Sequence, residues 1–133
     1  MNASLVKGVM IVGGLLTMSM LFVAIDPVGG LAQSFGPAAA GVLGDPLPGP
    51  VAEIIVRNWG AIIALYGAAL IYGALVPGAR TLALLLATIG KAIFIGLVVN
   101  LIDVSTSPAL VAVIADSVMI ALFILFLVRP ARA

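Results

Sequence analysis

The sequence contains no cysteine and no histidine. Without cysteine there can be no disulfide, no thiol redox chemistry and no thiolate metal ligand. Without histidine there is no imidazole base near neutral pH, no Cys/His zinc site and no His-ligated haem. Charge is scarce as well: Asp, Glu, Lys and Arg make up 8% of the 133 residues, and the formal net charge is +1. A soluble domain carries roughly 25% charged residues. There is no basic stripe with interleaved aromatics, so nucleic acid is not an expected partner.

Apolar residues are abundant. They form 64% of the chain, and the mean hydropathy is +1.37. The usual apolar share is about 45–50%. Here they come in runs of about 20, the length that crosses a hydrocarbon core of about 30 Å as a helix. The expected fold is all-α: a polytopic membrane protein with a bundle of four transmembrane helices in a single membrane domain. The helices are expected over about 5–25, 53–76, 81–102 and 108–128.

The first run extends from Leu5 to Ile25. The apolar stretch of a signal peptide is shorter, about 7–15 residues. No convincing small-residue cleavage site follows, so a retained helix is expected. Residues 26–50 are rich in Gly and Pro, and Pro27, Pro37, Pro46, Pro48 and Pro50 forbid a long helix. This stretch is expected as an external connector, with Ala38 to Leu43 apolar enough for a short helical turn at the interface. Pro77-Gly78-Ala79-Arg80 reads as a tight turn. Ser105-Thr106-Ser107-Pro108 starts the fourth helix, with hydroxyls placed to cap it and Pro at the first helical position. Arg129-Pro130 ends it. The absence of an internal repeat weighs against an inverted-repeat transporter within one chain.

Orientation follows from Lys and Arg in the short loops. Lys7, Arg80, Arg129 and Arg132 fall on one side. Asp26, Asp45, Glu53 and Asp103 fall on the other, where Arg57 is the basic exception. Both termini are expected in the cytoplasm and the connector outside, in the inner (plasma) membrane of a cell.

Lys91 and Asp116 lie within the third and fourth helices. Each costs about 2.5–3.5 kcal/mol at a helix centre, so neither should face lipid unpaired. Asp116 is about three residues nearer the outer end, roughly 4–5 Å at the helical rise, which a lysine stem can span. Against pairing, Cα–Cβ bonds tilt toward the helix N-terminus, so the two side chains lean apart. If they pair, they either fix helix register or form a proton or ligand site.

Glu53 and Arg57 are spaced i,i+4 with the acid first, which supports a helix locally. Arg57 could instead turn inward to Asp116 or Asp103 and form an outer polar cluster with Asn100. The ligand or ion-pair candidates are thus Arg57, Asn58, Lys91, Asn100, Asp103 and Asp116. Trp59 reads first as an interfacial anchor. Gly60, Ala64, Gly67 and Ala68 form a small-residue face for close helix packing, and Gly8, Gly13, Gly14, Gly90 and Gly96 suggest similar faces. Tyr66 and Tyr72 could line a cleft or lie in the packing. Met10, Met18 and Met20 read as gap fillers. No nucleophile elbow, Gly-rich phosphate loop or paired-carboxylate motif is present, so no catalytic residue and no metal ligand is nominated.

The segments RNWGAIIALYGAALIYGA, PGAR, TLALLLATIGKAIFIGLV and ADSVMIALF, between Arg57 and Phe126, resemble small four-helix bacterial membrane proteins of the DoxX-like kind. The resemblance covers roughly half the chain. It implies a four-helix membrane fold. Some such proteins are linked to quinone-dependent thiosulfate oxidation, but the resemblance carries no catalytic residue to this chain.

The expected role is an accessory or binding subunit that packs with itself or with other membrane subunits. No cofactor is called for by a motif, but a bound lipid or quinone-like molecule fits the composition. The alternative is a small ion- or proton-coupled transporter or channel using Lys91 and Asp116. A membrane enzyme would have to borrow its redox group from a partner or a bound cofactor.

Overall fold

The computed structural model describes residues 2–43 and 49–129. Among these residues the chain is helical, with no strand. The helices are α1 (Ala3–Met18), α2 (Leu21–Ile25), α3 (Pro27–Phe35), α4 (Gly49–Leu75), α5 (Arg80–Leu101) and α6 (Ala109–Val128). Short 3₁₀ turns occupy Pro37–Leu43, Pro77–Ala79 and Val104–Thr106. Four stretches are long and apolar enough to cross a membrane: Ala3–Ile25, Gly49–Leu75, Pro77–Leu101 and Ala109–Val128. Residues 44–48 of the connector, with Asp45, Pro46 and Pro48, lie outside the described residues, as do Pro130 and Arg132.

The first span differs from the single helix expected over 5–25. It breaks at Ser19–Met20, where hydrogen bonds shift from i→i−4 to i→i−3: Ser19 N–H reaches Leu15 O at 3.1 Å, but Met20 N–H reaches Thr17 O at 3.2 Å and Phe22 N–H reaches Ser19 O at 3.0 Å. The cause is local. Thr17 Oγ1 donates to Gly13 O at 2.7 Å and Ser19 Oγ to Leu16 O at 2.6 Å. Hydroxyls that bond back to their own helix bend it.

The connector also differs from expectation, because a helix begins at its second residue. Asp26 caps α3 by accepting Gly29 N–H at 3.0 Å, and Pro27 takes the first helical position. There the missing N–H has no cost and the fixed φ suits the helix. Gly36, at φ 103°, ends α3 in a conformation that side chains with a Cβ rarely adopt. The second span starts at Gly49 rather than near 53, since Pro50 is tolerated in a first turn. The fourth starts at Ala109, with Pro108 as its cap residue and Ser107 Oγ accepting Ala109 N–H at 3.2 Å.

α4 is the central helix, and its small residues set the bundle spacing. A Cβ on Gly67 would lie 2.5 Å from Gly14 O and from Met18 N, so the backbones of α1 and α4 touch there. Gly60 packs against Met20 and Ala24, Ala64 is buried, and Ala68 is half-buried. The glycines expected to act similarly divide. Gly13 and Gly14 meet other helices and Gly90 meets the Tyr66 ring, whereas Gly8 and Gly96 face open space. A helical glycine is only a packing residue where a neighbour occupies its face.

The main core joins Val6 and Met10 to Leu70, Ala83, Leu84, Phe123 and Phe126. It closes one end of the bundle, the end that carries Lys7, Arg80 and Arg129. A second cluster, Val23, Leu31 and Val56 with Phe35 and Trp59 against it, holds α2 and α3 to α4 at the other end. The outward faces remain apolar: Leu16, Ile54, Leu65, Leu82, Leu97, Val111 and Val118 are all exposed. Exposed apolar surface on this scale does not suit water and does suit hydrocarbon.

Candidate ligand-binding cleft

Between the two clusters lies a cleft of about 430 Å³. That is within the usual range for small-molecule sites, about 300–1,000 Å³. Each wall is one helix face. α4 contributes Trp59, Ile63 and Tyr66, spaced four and three residues apart. α5 contributes Ala87, Gly90, Lys91 and Phe94, and α6 contributes Val111, Ala112, Ala115, Asp116 and Met119. Both sets follow the helical period, which puts them on single stripes. The broken first span adds Thr17, Ser19 and Met20, and α3 adds Gln33 and Ser34. Val111, Ala112 and Ala115 are exposed, as are Ser19 and Phe22 across from them, so the cleft opens between α6 and the break.

Lys91 and Asp116 meet in its wall. Lys91 Nζ donates to Asp116 Oδ1 at 2.5 Å, with side chains 9% and 16% exposed. The lysine stem thus makes up the offset in depth and overcomes the divergent Cα–Cβ directions. Oδ2 of Asp116 and the Tyr66 hydroxyl make no hydrogen bond with any described residue. No partnerless side-chain polar atom is sealed inside the described fold. These two groups are therefore not sealed from the surface.

The other candidates lie elsewhere. Arg57 does not reach Asp116 or Asp103. Its Nε and Nη2 donate to Glu53 Oε1 at 2.8 and 2.6 Å. Its Nη1 donates to Ala24 O at 2.6 Å and Ile25 O at 2.9 Å. It thus satisfies carbonyls at the C-terminus of α2 and ties that helix to α4. Asn58 is exposed. Asn100 Nδ2 donates to Gly96 O on its own helix at 2.7 Å. Asp103 is exposed at the turn after α5, where its Oδ1 accepts Ser105 N–H at 3.1 Å and the Ser105 hydroxyl at 2.6 Å. These bonds favour the ionised form and hold its carboxyl below the usual carboxylate range. The outer polar cluster is therefore not assembled, and two of the six candidates, Lys91 and Asp116, line the cleft.

Trp59 is not simply an interfacial anchor. Its ring stacks on Phe35 of α3, with centroids 5.9 Å apart and planes inclined by 30°, and Phe35 also approaches Phe94 at 6.5 Å. Gln33, Ser34 and Thr17 line the cleft without being among the six candidates. Thr17 and Ser19 carry one signal in the sequence, two hydroxyls within an apolar run. Gln33 and Ser34 carried none until α3 was known to fold back onto the bundle. The chain matches no protein-family model, no curated protein and no solved structure.

Proposed function

We propose that this chain is a four-pass protein of the inner (plasma) membrane, with both termini in the cytoplasm, that binds an amphipathic small molecule, a lipid or a quinone-like compound, in the cleft between α2, α4, α5 and α6. The observation that carries this reading is the place of the Lys91–Asp116 pair, which lies in the wall of an open cleft and not within sealed packing. A pair that only fixed helix register would need no adjoining space. The cleft combines apolar walls with a few convergent polar groups, the usual make-up of small-molecule sites. The α2–α3 segment and the aromatic contact of Phe35 with Trp59 cover its outer end.

Binding is favoured over conduction by what lies beyond the pair. Met10, Leu70 and Phe123 are fully buried and fill the bundle on the side of Arg80 and Arg129. An ion passing Lys91 would meet these buried apolar side chains. Liposome flux that is lost in Lys91→Met and Asp116→Asn would overturn this preference.

The reading includes lateral packing with another copy or with other membrane subunits. α6 is the place to seek it, since it is the least buried of the four spans. Kinship with DoxX-like proteins is part of the proposal, and no residue role is taken from it. The test is to purify the full chain in nanodiscs and identify co-purifying small molecules by mass spectrometry. A stoichiometric amphiphile retained by the wild type and lost from Ala115→Phe, which fills the cleft, is the expected result. Equal content in both proteins would remove the cleft from consideration.

A further inference from the structure

Resting on the reading of the cleft as a binding site, we infer that its ligand is an uncharged amphiphile with a hydroxyl head, which hydrogen-bonds to the Lys91–Asp116 pair without separating it. Three observations lead there. The first is charge. Among the residues lining the cleft, Lys91 and Asp116 are the charged ones, and they neutralise each other at 2.5 Å. The remaining polar liners, such as Thr17, Gln33, Ser34 and Tyr66, are neutral. An anionic head could gain Lys91 only by displacing Asp116, and a cationic head could gain Asp116 only by displacing Lys91. Either exchange leaves an uncompensated charge in a place where water is scarce, which is strongly unfavourable.

The second observation is the hydrogen-bonding capacity left over. A lysine ammonium has three N–H donors and no acceptor, and an ionised carboxylate accepts at both oxygens. Lys91 uses one donor on Asp116 Oδ1, while Oδ2 makes no bond with any described residue. The pair as bonded thus leaves donors on Nζ and an acceptor at Oδ2 unused. A hydroxyl matches both at once, donating its proton to Oδ2 and accepting an N–H from Nζ. A ketone or ester carbonyl only accepts, so it leaves Oδ2 desolvated and unpaired. The third observation is the body of the cleft. Trp59, Tyr66, Phe94, Ile63 and Met119 surround the remaining space, which suits a hydrocarbon chain or ring.

The chain has one tryptophan, Trp59, and it lines the cleft. Its fluorescence is therefore a direct reporter of occupancy. The full chain in phosphatidylcholine nanodiscs would be titrated with dibrominated octadecanol, with the sulfate ester of the same chain and with its trimethylammonium analogue. Bromine quenches tryptophan on contact, and the three probes share one dibrominated chain and differ in their heads: a neutral hydroxyl, an anion and a cation. Saturable quenching by the alcohol, displaced by plain octadecanol and absent in Ala115→Phe, is the expected result. The alcohol should bind at least about tenfold more tightly than either charged probe. In Asp116→Asn the order of alcohol and sulfate should reverse, because Lys91 is then an unpaired cation. A sulfate or trimethylammonium probe that saturates wild type as tightly as the alcohol overturns the inference and leaves the cleft as a binding site. The absence of saturable quenching by all three overturns both. If Asp116→Asn does not fold, the wild-type comparison still decides.

Discussion

Lys91 of α5 and Asp116 of α6 form a direct ion pair at 2.5 Å inside a bundle whose outward faces are mostly apolar. Removing one partner leaves the other charged and unpaired. Lys91→Met and Asp116→Leu alone should each destabilise the fold by about 3–5 kcal/mol, whereas the double variant should recover most of that loss, because replacing both members of a buried pair is often close to neutral. Reversible unfolding in bicelles, read as a double-mutant cycle, measures the coupling. Additive losses would mean that the pair contributes no joint stabilisation.

The close approach of α1 and α4 makes a second prediction. Gly67→Val places atoms where Gly14 O and Met18 N already stand. Backbone cannot yield as a flexible side chain can, so α1 must move away, at a cost of several kcal/mol if it stays folded at all; overpacking typically costs about 1–3 kcal/mol even where side chains can shift. Gly96→Ala is the control. It faces open space within α5, so it should be neutral or stabilising by up to about 1 kcal/mol through helix propensity. Thermal denaturation of both variants in the same detergent separates packing from propensity.

The four spans were legible because an apolar run of the right length has few other uses, and Lys91 and Asp116 stood out because charge is costly there. The break at Ser19–Met20 was not legible in the same way. The apolar run does not pause there, and the bend comes from two hydroxyls bonding to Gly13 O and Leu16 O. α3 was hidden by its glycines and by Pro27, although Asp26-Pro27 is a helix start when read locally. The cleft itself is a property of packed faces. Trp59, Ile63 and Tyr66 form a stripe in the sequence, but only the fold decides whether a stripe meets another helix or leaves space.

Arg57 supports a third prediction. It bonds to Glu53 and to the carbonyls of Ala24 and Ile25. Its side chain is 43% exposed, so the global cost of Arg57→Ala should be small, within about 1 kcal/mol. The local effect should be larger. Hydrogen exchange should rise in α2 and at the start of α3, with little change in α5 and α6. Arg57→Lys should restore it only in part, since an ammonium lacks the planar fork that serves the carboxylate and the carbonyls together. Unchanged exchange in α2 would show that the tether does not hold that helix.

Asp103 gives a pH-dependent prediction outside the spans. Its bonds with Ser105 lower its pKa in the folded protein. The folded state therefore binds the proton less readily than the unfolded state does. The stabilisation is fully present above the ordinary carboxylate value, and it is lost as pH falls through the lowered one. NMR titration should show Asp103 ionising below the usual range, and Ser105→Ala should move it back up. No change in the variant would remove Ser105 as the cause.

The proposed orientation can be tested cleanly because the chain has no native cysteine. Lys7, Arg80 and Arg129 share one end of the bundle, while Asp26, Glu53 and Asp103 share the other. Basic residues near short loops are retained in the cytoplasm, and acidic ones have little influence. Single cysteines can be placed at Gly78, in the turn between α4 and α5, and at Gly41, in the 3₁₀ segment after α3. Both positions have open space where a side chain would go. On intact cells, a membrane-impermeant maleimide should label Gly41→Cys and spare Gly78→Cys until the membrane is permeabilised. The reverse pattern would place the cleft mouth and the α2–α3 cover on the cytoplasmic side, and any ligand would then enter from the inner leaflet.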